Sequence, residues 1–558
     1  MKSIELVQCF LYLIALISLA PVLGSFMAKV LAGERNFLTS ILGPVERLIY
    51  KLSGITLDEE MNWKQYTWAL MLFNLLGIAV VLLLQLFQAG LPLNPAKMPN
   101  VPFALALNTA VSFVTNTNWQ AYSGEATLSY LTQMGGLGVQ NFLSAAVGLG
   151  VMVAMARGLA RKNTGNLGNF WADLVRSTLY ILLPLAILFT VVLVGEGVVQ
   201  TFKPYAEATT LSGTTQVIPL GPAASQIAIK QLGTNGGGFF GVNSAHPFEN
   251  PTPFSNFLEM LAILALPAAC CFTYGKFVGN PKQGRSIYLA MMALFLVGLG
   301  IAWWAEVAAP HPMMEGKETR FGIMNSVLWA TATTDASNGS VNAMHDSLSP
   351  LAGLVAVTNI LLGECVFGGI GTGVYTILMH VIVTVFIAGL MVGRTPEYLG
   401  KKIEAREVRL AIFAIIAPCA FVLVGSAISL VHDYGTSSLG NQGAHGLTEV
   451  LYAFASAANN NGSAFGGLTV NTPWYNYALA ICMFVGRFIV IIPALAIAGS
   501  LAQKKTAPFS AGTFPTTGGT FVILLIGVIV IVGALTFFPV LCLGPVIEHF
   551  LMASGRTF

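Results

Sequence analysis

The sequence predicts an all-α polytopic membrane protein with about ten transmembrane helices. Four covalently linked helix–pore loop–helix repeats make up most of the predicted fold, with one extra helix at each end. Three observations predict this fold class. Of the 558 residues only 9% are charged, whereas soluble domains carry about 25% charged residues. Ten apolar stretches can cross roughly 30 Å of hydrocarbon. Four shorter apolar stretches each run into a loop rich in glycine, asparagine or threonine.

The composition also excludes several function classes. The net charge is +3 and no cluster of basic residues is long enough to bind nucleic acid. The seven cysteines lie in apolar segments without a CxxC pair, so neither disulfides nor a zinc site is expected. The sequence has neither a GxxxxGK[ST] motif nor an Asp-Lys-Thr-Gly phosphorylation motif. We therefore expect no catalytic site and no organic cofactor in this chain.

The predicted spans follow from the apolar stretches taken in order. The first follows Lys2 and continues without a convincing cleavage site, so we interpret it as a retained helix rather than a signal peptide. The seventh is too long for one straight helix and is predicted to be interrupted. The spans lie near 4–28, 66–88, 128–155, 174–199, 253–278, 285–307, 350–392, 409–432, 474–502 and 519–550.

The distribution of basic residues predicts the orientation of these spans. Most of the 27 lysines and arginines fall in the linkers after spans one, three, five, seven and nine. Cytoplasmic linkers carry such an excess, so these linkers are predicted to be cytoplasmic. Both termini and the other four linkers then lie on the outer side of a multi-pass protein in the lipid bilayer.

Each outer linker contains an apolar stretch of about a dozen residues, too short to span and therefore predicted to be re-entrant. These stretches read "FALALNTAVSFV", "AASQIAIKQL", "IMNSVLWATAT" and "LTEVLYAFASA". Each joins the spans on either side into one repeat. The predicted units are an N-terminal helix at 1–30, repeats at 66–155, 174–278, 285–392 and 409–502, and a C-terminal helix at 519–550.

The loops after the four short stretches share a triplet of small polar residues. Its last position is glycine in three loops and asparagine in one, the residues that most readily adopt positive φ. The triplets are Asn116-Thr117-Asn118, Thr234-Asn235-Gly236, Ser337-Asn338-Gly339 and Asn460-Asn461-Gly462.

Irregular backbone at membrane depth is tolerated only inside protein or along a water-filled cavity. Four such loops on one axis can direct carbonyl oxygens at a dehydrated cation, and the short helices direct their negative ends at the same place. Neutral carbonyls and amides suit a monovalent rather than a divalent cation. The alternative from the residues alone is four ordinary polar loops outside the bilayer.

Four longer strings carry a resemblance to a known family. "LNTAVSFVTNTNWQAYSGE", "GTNGGGFFGVNSAHPFENPT", "GRTPEYLGKKIE" and "SAANNNGSAFGG" resemble the potassium-binding A subunit of the bacterial Kdp-type potassium-transporting ATPase. The resemblance implies a potassium-channel-like fold of the superfamily of K⁺ transporters, located in the bacterial inner (plasma) membrane. It implies that K⁺ is captured from outside and passed to a P-type ATPase B subunit, with C and F subunits completing the complex.

The resemblance also assigns residues. It makes the four triplets a K⁺ selectivity filter and places Gln120 just beyond the first. The loop "TTDASNGSVNAMHDS" departs from the family, so Asp335 is either a charge at the pore mouth or a structural cap.

Charged residues inside the membrane are functional candidates because they are costly to insert. Glu364 lies among the glycines that interrupt the seventh span, and Arg487 lies deep in the ninth. A structural ion pair between them is one interpretation. The other, which the resemblance favours, is a gate below the filter, with Glu364 assisting the cation. Arg394 either faces this pathway or extends to the membrane surface. The glycines assigned to the gate are Gly368, Gly369 and Gly371.

The sequence therefore predicts the potassium-binding, channel-like subunit of an ATP-driven high-affinity K⁺ uptake pump. The alternative function is a stand-alone K⁺ channel or cation symporter of the same superfamily.

Overall fold

A computed structural model describes residues 3–309, 314–506 and 514–556 of the chain. Within these ranges, ten helices are long and apolar enough to cross a membrane. They coincide with the ten predicted spans, which confirms the predicted fold class. Residues 1 and 2 of the predicted N-terminal helix lie outside the described ranges.

The helices follow one another along the chain with short connections. In chain order they are α1 (Ser3–Leu31), α2 (Thr39–Ser53), α3 (Trp63–Leu86), α4 (Phe103–Val114), α5 (Gly124–Thr127), α6 (Val139–Ala160), α7 (Phe170–Arg176), α8 (Leu183–Gly195), α9 (Ala223–Leu232), α10 (Pro253–Phe277), α11 (Pro281–Ala308), α12 (Gly322–Asp335), α13 (Pro350–Leu361), α14 (Thr372–Met391), α15 (Ala405–Val431), α16 (Asp433–Thr436), α17 (Gly443–Ala458), α18 (Pro473–Gln503), α19 (Gly519–Leu541) and α20 (Ile547–Ala553).

Three spans contain a π-helical turn, which is common where a helix must adapt its packing. Thr132–Gly138 leads into α6, Ser177–Leu182 joins α7 to α8, and Cys542–Val546 joins α19 to α20. The first of these segments contains three glycines, and the third contains Gly544 and Pro545, which disfavour regular α-helix. The spans therefore stay continuous but are locally irregular.

Three two-stranded antiparallel sheets lie in the linkers. β1 (Met61–Asn62) pairs with β2 (Asn166–Gly168), so the linkers after the first and third spans are tied together. The other pairs are β3 (Ala206–Thr209) with β4 (Thr215–Ile218), and β5 (Glu397–Tyr398) with β6 (Lys401–Lys402).

Four short helices lie where the sequence predicts re-entrant segments. α4, α9, α12 and α17 contain 12, 10, 14 and 16 residues. At about 1.5 Å per residue, none of them is long enough to cross the hydrocarbon region. Each ends in one of the four polar loops, so all four helices direct their C-terminal ends at those loops. We call them the pore helices.

The spans differ in how much of their surface is covered by protein. Only 22% of the residues in the most apolar part of the first and last spans are buried, against 83% in the third. The fifth span and the α14 part of the seventh reach 78%. Within each repeat, the span after the pore helix is therefore the more central one, and the preceding span lies towards lipid.

The seventh span is interrupted, as predicted. α13 ends at Leu361 and α14 begins at Thr372, with an irregular loop between them at 362–371. Five residues of this loop have positive φ, including Glu364 at 50° and Phe367 at 59°. A side chain larger than glycine is uncommon in that region, so the surrounding contacts determine this conformation. We call 362–371 the span-seven loop.

Candidate functional site

The second of the four polar loops lies between the first and the third. A Cβ atom added to Gly236 would be 2.8 Å from the carbonyl oxygen of Asn338 and 3.0 Å from that of Thr117. Real Cβ atoms are almost never closer than 3.0 Å to another heavy atom. Glycine therefore allows the backbones of three loops to meet at this point.

Two further contacts close the ring. A Cβ on Gly339 would overlap the carbonyl oxygen of Asn461 in the fourth loop, and one on Gly462 would overlap that of Thr117 in the first. The loops thus touch in the order one, two, three, four and back to one. Residues that are distant in sequence form one closed ring of backbone.

The backbone conformation repeats around this ring. The first residue of every triplet has positive φ: 64° at Asn116, 49° at Thr234, 48° at Ser337 and 48° at Asn460. Filters for dehydrated cations are built from rings of backbone carbonyl groups. Four loops with this conformation can present their oxygens to a common axis.

The predicted positive φ at the third triplet position is correct in three loops and wrong in the second. Asn118, Gly339 and Gly462 have φ values of 58°, 86° and 97°. Gly236 is not in the positive region; its neighbour Gly237 is, at 73°. The second loop has three consecutive glycines, so the left-handed residue can move by one position without steric cost.

Side-chain amides connect the loops behind the ring. Asn116 Nδ2 donates to the carbonyl oxygen of Thr234 at 2.9 Å, and Asn235 Nδ2 donates to Asn116 Oδ1 at 2.7 Å. Asn461 Nδ2 donates to the carbonyl oxygen of Thr333, and Asn460 Nδ2 to Thr117 Oγ1, both at 2.9 Å. Buried amides hold neighbouring loops in fixed register because each one must be satisfied.

Gln120 forms a bridge from the first loop to the second. Its Oε1 accepts from the backbone N–H of Gly238 at 2.9 Å, and its Nε2 donates to the carbonyl oxygen of the same residue at 3.0 Å. The side chain is half-buried and Tyr122 lies beside it at 3.3 Å. Gln120 therefore supports the second loop at the place where the sequence puts it, just beyond the first triplet.

The sequence interpretation missed a buried ion pair behind the second loop. Lys230, on pore helix α9, donates to Glu249 at 2.7 Å and to the carbonyl oxygen of Gly237 at 3.0 Å. The two side chains are 1% and 0% exposed. A lysine in the otherwise apolar stretch "AASQIAIKQL" was the available signal, because such a charge needs a partner.

The span-seven loop lies directly against the second and third loops of the ring. The backbone N–H of Ile370 donates to Thr234 Oγ1 at 2.7 Å, so the span-seven loop is in contact with the second triplet. The N–H of Gly368 donates to the carbonyl oxygen of Asp335 at 3.1 Å. A Cβ on Gly371 would overlap the carbonyl oxygen of Gly148 on α6. The loop is thus fixed from three directions.

Glu364 lies in the span-seven loop and Arg487 lies next to it, but the two side chains form no ion pair with each other. The Glu364 carboxylate is 3.5 Å from the N–H of Gly369. Arg487 donates to Thr372 Oγ1 at 3.0 Å and to the carbonyl oxygen of Ser144 at 3.4 Å. The structure does not contain the direct ion pair that was one of the two interpretations; the hydrogen bonds of Arg487 go to neutral acceptors. Arg487 instead ties α14 and α6 to α18.

A cavity of about 40 Å³ adjoins this region. It lies between α14, α15, α18 and α19, and Glu364, Arg487, Thr376, His380 and Asn460 are among its lining residues. Asn460 belongs to the fourth triplet. The cavity therefore begins at the ring and extends along the span-seven loop towards the last span.

Arg394 and Asp335 lie outside this cavity. The side chain of Arg394 is exposed just after the end of α14. This position fits the alternative in which Arg394 extends to the membrane surface. Asp335 is the last residue of pore helix α12 and only 2% exposed. Its Oδ2 has no hydrogen-bond partner among the described residues. Since it is buried at the inner end of a pore helix, it is not a charge at an open mouth.

A charged cluster links the third loop, the fourth pore helix and the last span. His445 Nε2 lies 2.9 Å from Asp346 Oδ1, and His445 Nδ1 lies 2.8 Å from Glu548 Oε1. Burial alone would lower the pKa of His445, but the hydrogen bonds to the two carboxylates, and their charges, raise it to about 10. The imidazole is therefore charged at neutral pH and holds Glu548 of α20 next to α17 and Asp346.

The family model described as "Potassium-transporting ATPase A subunit" (KdpA) matches residues 10–550.

Close relatives extend over nearly the whole chain. A potassium-transporting ATPase potassium-binding subunit from Sorangium cellulosum is 57% identical and covers 97% of this chain and 98% of its own length. The protein of the same name from Rhodospirillum centenum is 55% identical, with 100% and 99% covered.

A solved structure has the same fold at much lower identity. The potassium transporter TrkH from Vibrio parahaemolyticus aligns with a TM-score of 0.53 and 16% identity. The alignment covers 88% of this chain and 96% of that protein. At this identity the likeness concerns the fold alone.

Proposed function

This chain belongs to the family of potassium-transporting ATPase A subunits, and from this we propose that it is the potassium-binding, channel-like subunit of an ATP-driven K⁺ uptake pump. Relatives with 57% identity over nearly their full length bear the name of the potassium-binding subunit. Catalytic activity belongs to another subunit of such a pump, so this chain is non-catalytic. The family supports this function over a stand-alone channel or symporter.

We propose that the four triplets form the K⁺ selectivity filter. The observation that carries this proposal is the closed ring of contacts, in which Gly236, Gly339 and Gly462 each meet backbone carbonyls of another loop. Carbonyl oxygens held at fixed distances replace the water molecules that a K⁺ ion loses on entry. The fold requires four repeats for this, and their proposed boundaries are 66–155, 174–278, 285–392 and 409–502.

The pore helices add an electrostatic contribution. Each of the four ends at a filter loop, so four negative helix ends surround the ion. Their effect is strongest where water is excluded, and the triplet residues are almost fully buried. A monovalent cation can therefore be bound without a carboxylate in the ring, and the ion can still leave.

We propose further that the span-seven loop closes the path below the filter. Its N–H group at Ile370 contacts Thr234 of the second triplet, so an ion leaving the filter meets this loop. The cavity lined by Glu364 and Arg487 offers a sideways route towards the last span. A pump subunit needs such a diversion, because an open exit would dissipate the gradient.

The proposal includes the partners and the location. A P-type ATPase B subunit would receive the ion, and C and F subunits would complete the complex in the bacterial inner membrane. The excess of lysine and arginine in alternate linkers supports cytoplasmic linkers there and extracytoplasmic termini.

Purification through a tag on this chain tests the function. We expect a much larger P-type ATPase subunit to co-purify and the complex to hydrolyse ATP in a K⁺-dependent manner. If the chain purifies alone and conducts K⁺ in vesicles, the channel or symporter alternative is correct.

A deletion tests the gate separately. Removal of residues 367–373 should allow passive Rb⁺ uptake into proteoliposomes without ATP, whereas the intact complex should show none. An assembled deletion variant without a leak would exclude the span-seven loop as the gate.

A further inference from the structure

Helix α2 (Thr39–Ser53), in the linker between the first two spans, is attached to the bundle by one face. The Glu46 carboxylate accepts hydrogen bonds from Tyr180 at 2.7 Å, Tyr50 at 2.8 Å and Arg176 at 3.1 Å. Tyr180 and Arg176 lie near the start of the fourth span. The helix is therefore fixed at the level where the spans begin and end.

The opposite face of α2 is apolar and exposed. Its residues recur every three or four positions and so form one stripe along the helix. We call them the α2 stripe, and their exposed fractions are 70% for Ile41, 43% for Val45, 55% for Leu48 and 78% for Leu52. An apolar stripe of this size, if exposed to water, would promote aggregation of the protein.

Two cations border the stripe. At about 100° per residue, Arg47 and Lys51 lie on one flank of it, next to Ser40. All three side chains are exposed. Fifteen residues are too few to cross the membrane, at about 1.5 Å per residue. An apolar stripe with cations on its border is the pattern of helices that lie in a membrane surface.

We propose that α2 lies in the membrane–water interface on the side of the basic linkers and binds anionic phospholipid. The α2 stripe enters the acyl region, and Arg47 and Lys51 contact headgroup phosphates. Two observations point to anionic phospholipid as the ligand. α2 lies at the ends of the spans, and the residues beside its apolar stripe, Arg47 and Lys51, are positively charged. Neither argument depends on K⁺ binding.

Quenching by brominated lipids tests this proposal in the whole complex. Cys419 and Cys542, the cysteines that are not fully buried, are first replaced by alanine. A fluorophore is then attached to cysteine at Leu52→Cys, or at Ser40→Cys as the matched control on the same helix. We expect strong quenching at position 52 and little at position 40. Equal, weak quenching at both positions would overturn the proposal, as would shielding of position 52 by a protein partner.

The same label tests the lipid preference. Brominated phosphatidylglycerol should quench position 52 more strongly than brominated phosphatidylcholine. Arg47→Gln with Lys51→Gln should bring the ratio of the two to about one. Arg406→Gln, which removes an exposed cation at the start of α15, should leave the ratio unchanged. An unchanged ratio in the double variant would refute the assignment of these two cations.

A second inference comes from the residue six positions before the third residue of each triplet. In three loops this residue carries a hydroxyl that bonds to the filter backbone. Ser112 Oγ donates to the carbonyl oxygen of Trp119 at 2.8 Å, and Thr333 Oγ1 and Ser456 Oγ each accept from a filter glycine at 2.9 Å. In the second loop the equivalent residue is Lys230.

Lys230 replaces a neutral hydroxyl by a charge, and Glu249 balances it. The second carboxylate oxygen of Glu249 accepts from the N–H of Phe240 at 2.9 Å. With the bond from Lys230 to the carbonyl oxygen of Gly237, the pair holds both ends of the segment that follows the second triplet. This is also the loop in which the left-handed residue is displaced to Gly237.

We infer that Lys230 is a positioning residue for ion selectivity, an inference that rests on the proposed filter. It keeps the carbonyl of Gly237 turned away from the ion path, while Gln120 holds the next peptide from the other side. Three glycines in a row would otherwise allow this peptide to rotate. Glu249 keeps the site neutral, so that Lys230 does not repel the bound cation.

The double variant Lys230→Ser with Glu249→Gln tests this inference without leaving a buried charge unpaired. It gives the second loop the hydroxyl that the other loops have. We expect the complex to assemble, and the preference for K⁺ over Rb⁺ in ATPase stimulation to fall at least about threefold. The matched control is Lys203→Ser with Glu207→Gln, which changes two exposed residues in the linker before α9.

The outcome separates this inference from the proposed function. If the double variant keeps the native preference while Gly462→Ala loses it, the filter is correct and the role of Lys230 is wrong. If neither variant changes the preference, the filter itself is misassigned.

Discussion

Alanine at the glycines of the proposed filter should weaken K⁺ binding in an order that follows from the structure. Gly462 and Gly339 combine positive φ with a Cβ position already occupied by a neighbouring carbonyl group. Left-handed backbone costs about 1–2 kcal/mol for a residue with a Cβ, and the overlap adds to it. Since about 1.4 kcal/mol is a factor of ten, Gly462→Ala and Gly339→Ala should each weaken K⁺ affinity at least about tenfold.

Gly236→Ala should be milder. Its φ is outside the positive region, and its Cβ would be 2.8 Å from the carbonyl oxygen of Asn338, so a shift of a few tenths of an ångström relieves the contact. Gly300, on α11, has open space at its Cβ and serves as the matched control. We expect the loss of affinity to follow the order Gly462 and Gly339, then Gly236, then Gly300.

The assay is the K⁺ and Rb⁺ dependence of ATP hydrolysis by the complex purified through this chain, with the amount of assembled complex measured in parallel. Relaxed discrimination against Rb⁺ should accompany the loss of affinity, because the carbonyl spacing changes. The proposed ring geometry is wrong if Gly236→Ala is the most damaging of the three. It also fails if all three resemble Gly300→Ala.

Four further predictions concern single side chains around the ring. Gln120→Arg loses two hydrogen bonds to the second loop and adds a cation. Two unit charges 4 Å apart repel by about 4 kcal/mol at an effective dielectric of about 20. K⁺ affinity should therefore fall by orders of magnitude in an assembled complex, and native affinity would contradict this. Glu364→Gln and Arg487→Gln should impair K⁺-stimulated ATPase activity or its coupling to transport while K⁺ binding at the filter survives, which equilibrium binding of Rb⁺ measures; lost binding would contradict the placement below the filter. Asp335→Asn removes a buried carboxylate without a partner on Oδ2 and should leave the unfolding temperature unchanged or raise it; a marked fall would reveal a cation or proton that Asp335 binds. The stabilisation by His445 should be complete below about pH 6.5, the pKa of histidine in the unfolded chain, and should be lost as the pH rises through about 10. The difference in unfolding temperature between the native complex and His445→Gln should therefore shrink with rising pH. A constant difference would contradict the charged imidazole.

Much of the fold was predictable because its determinants are local. Span length and hydropathy depend on about 20 consecutive residues, and the ten spans were found from them. The pore helices were also found, because "FALALNTAVSFV" is apolar, short and followed by a polar loop. The interruption of the seventh span was visible as an apolar stretch that is too long and contains a cluster of glycines.

The rest depended on contacts between distant residues. Gly236 and Gly237 are both glycines, so the local sequence does not distinguish which of them is left-handed; in the structure it is Gly237. Glu364 and Arg487 have opposite charges, but Thr372 and Ser144 offer Arg487 acceptors that the sequence could not place. Lys230 and Glu249 are 19 residues apart, and only the folded second loop brings them together.

The closed ring has a consequence for how this protein is made. Its last contact joins Asn460 to Thr117, which are 343 residues apart in sequence. A chain that enters the membrane from its N-terminus can place the first three repeats before the fourth has been synthesised, and until then the first loop has no neighbour on one side. Contacts of such sequence separation form late, because much chain must be ordered first.

Ion binding can therefore begin only when synthesis is nearly complete. A chain truncated before 409 would lack a quarter of the ring, and Thr117 Oγ1 and the carbonyl oxygen of Thr333 would lose the amide donors of Asn460 and Asn461. Such a fragment should be recognised and degraded rather than persist as a leaky pore. The proposed filter is therefore incomplete until the last repeat is in place.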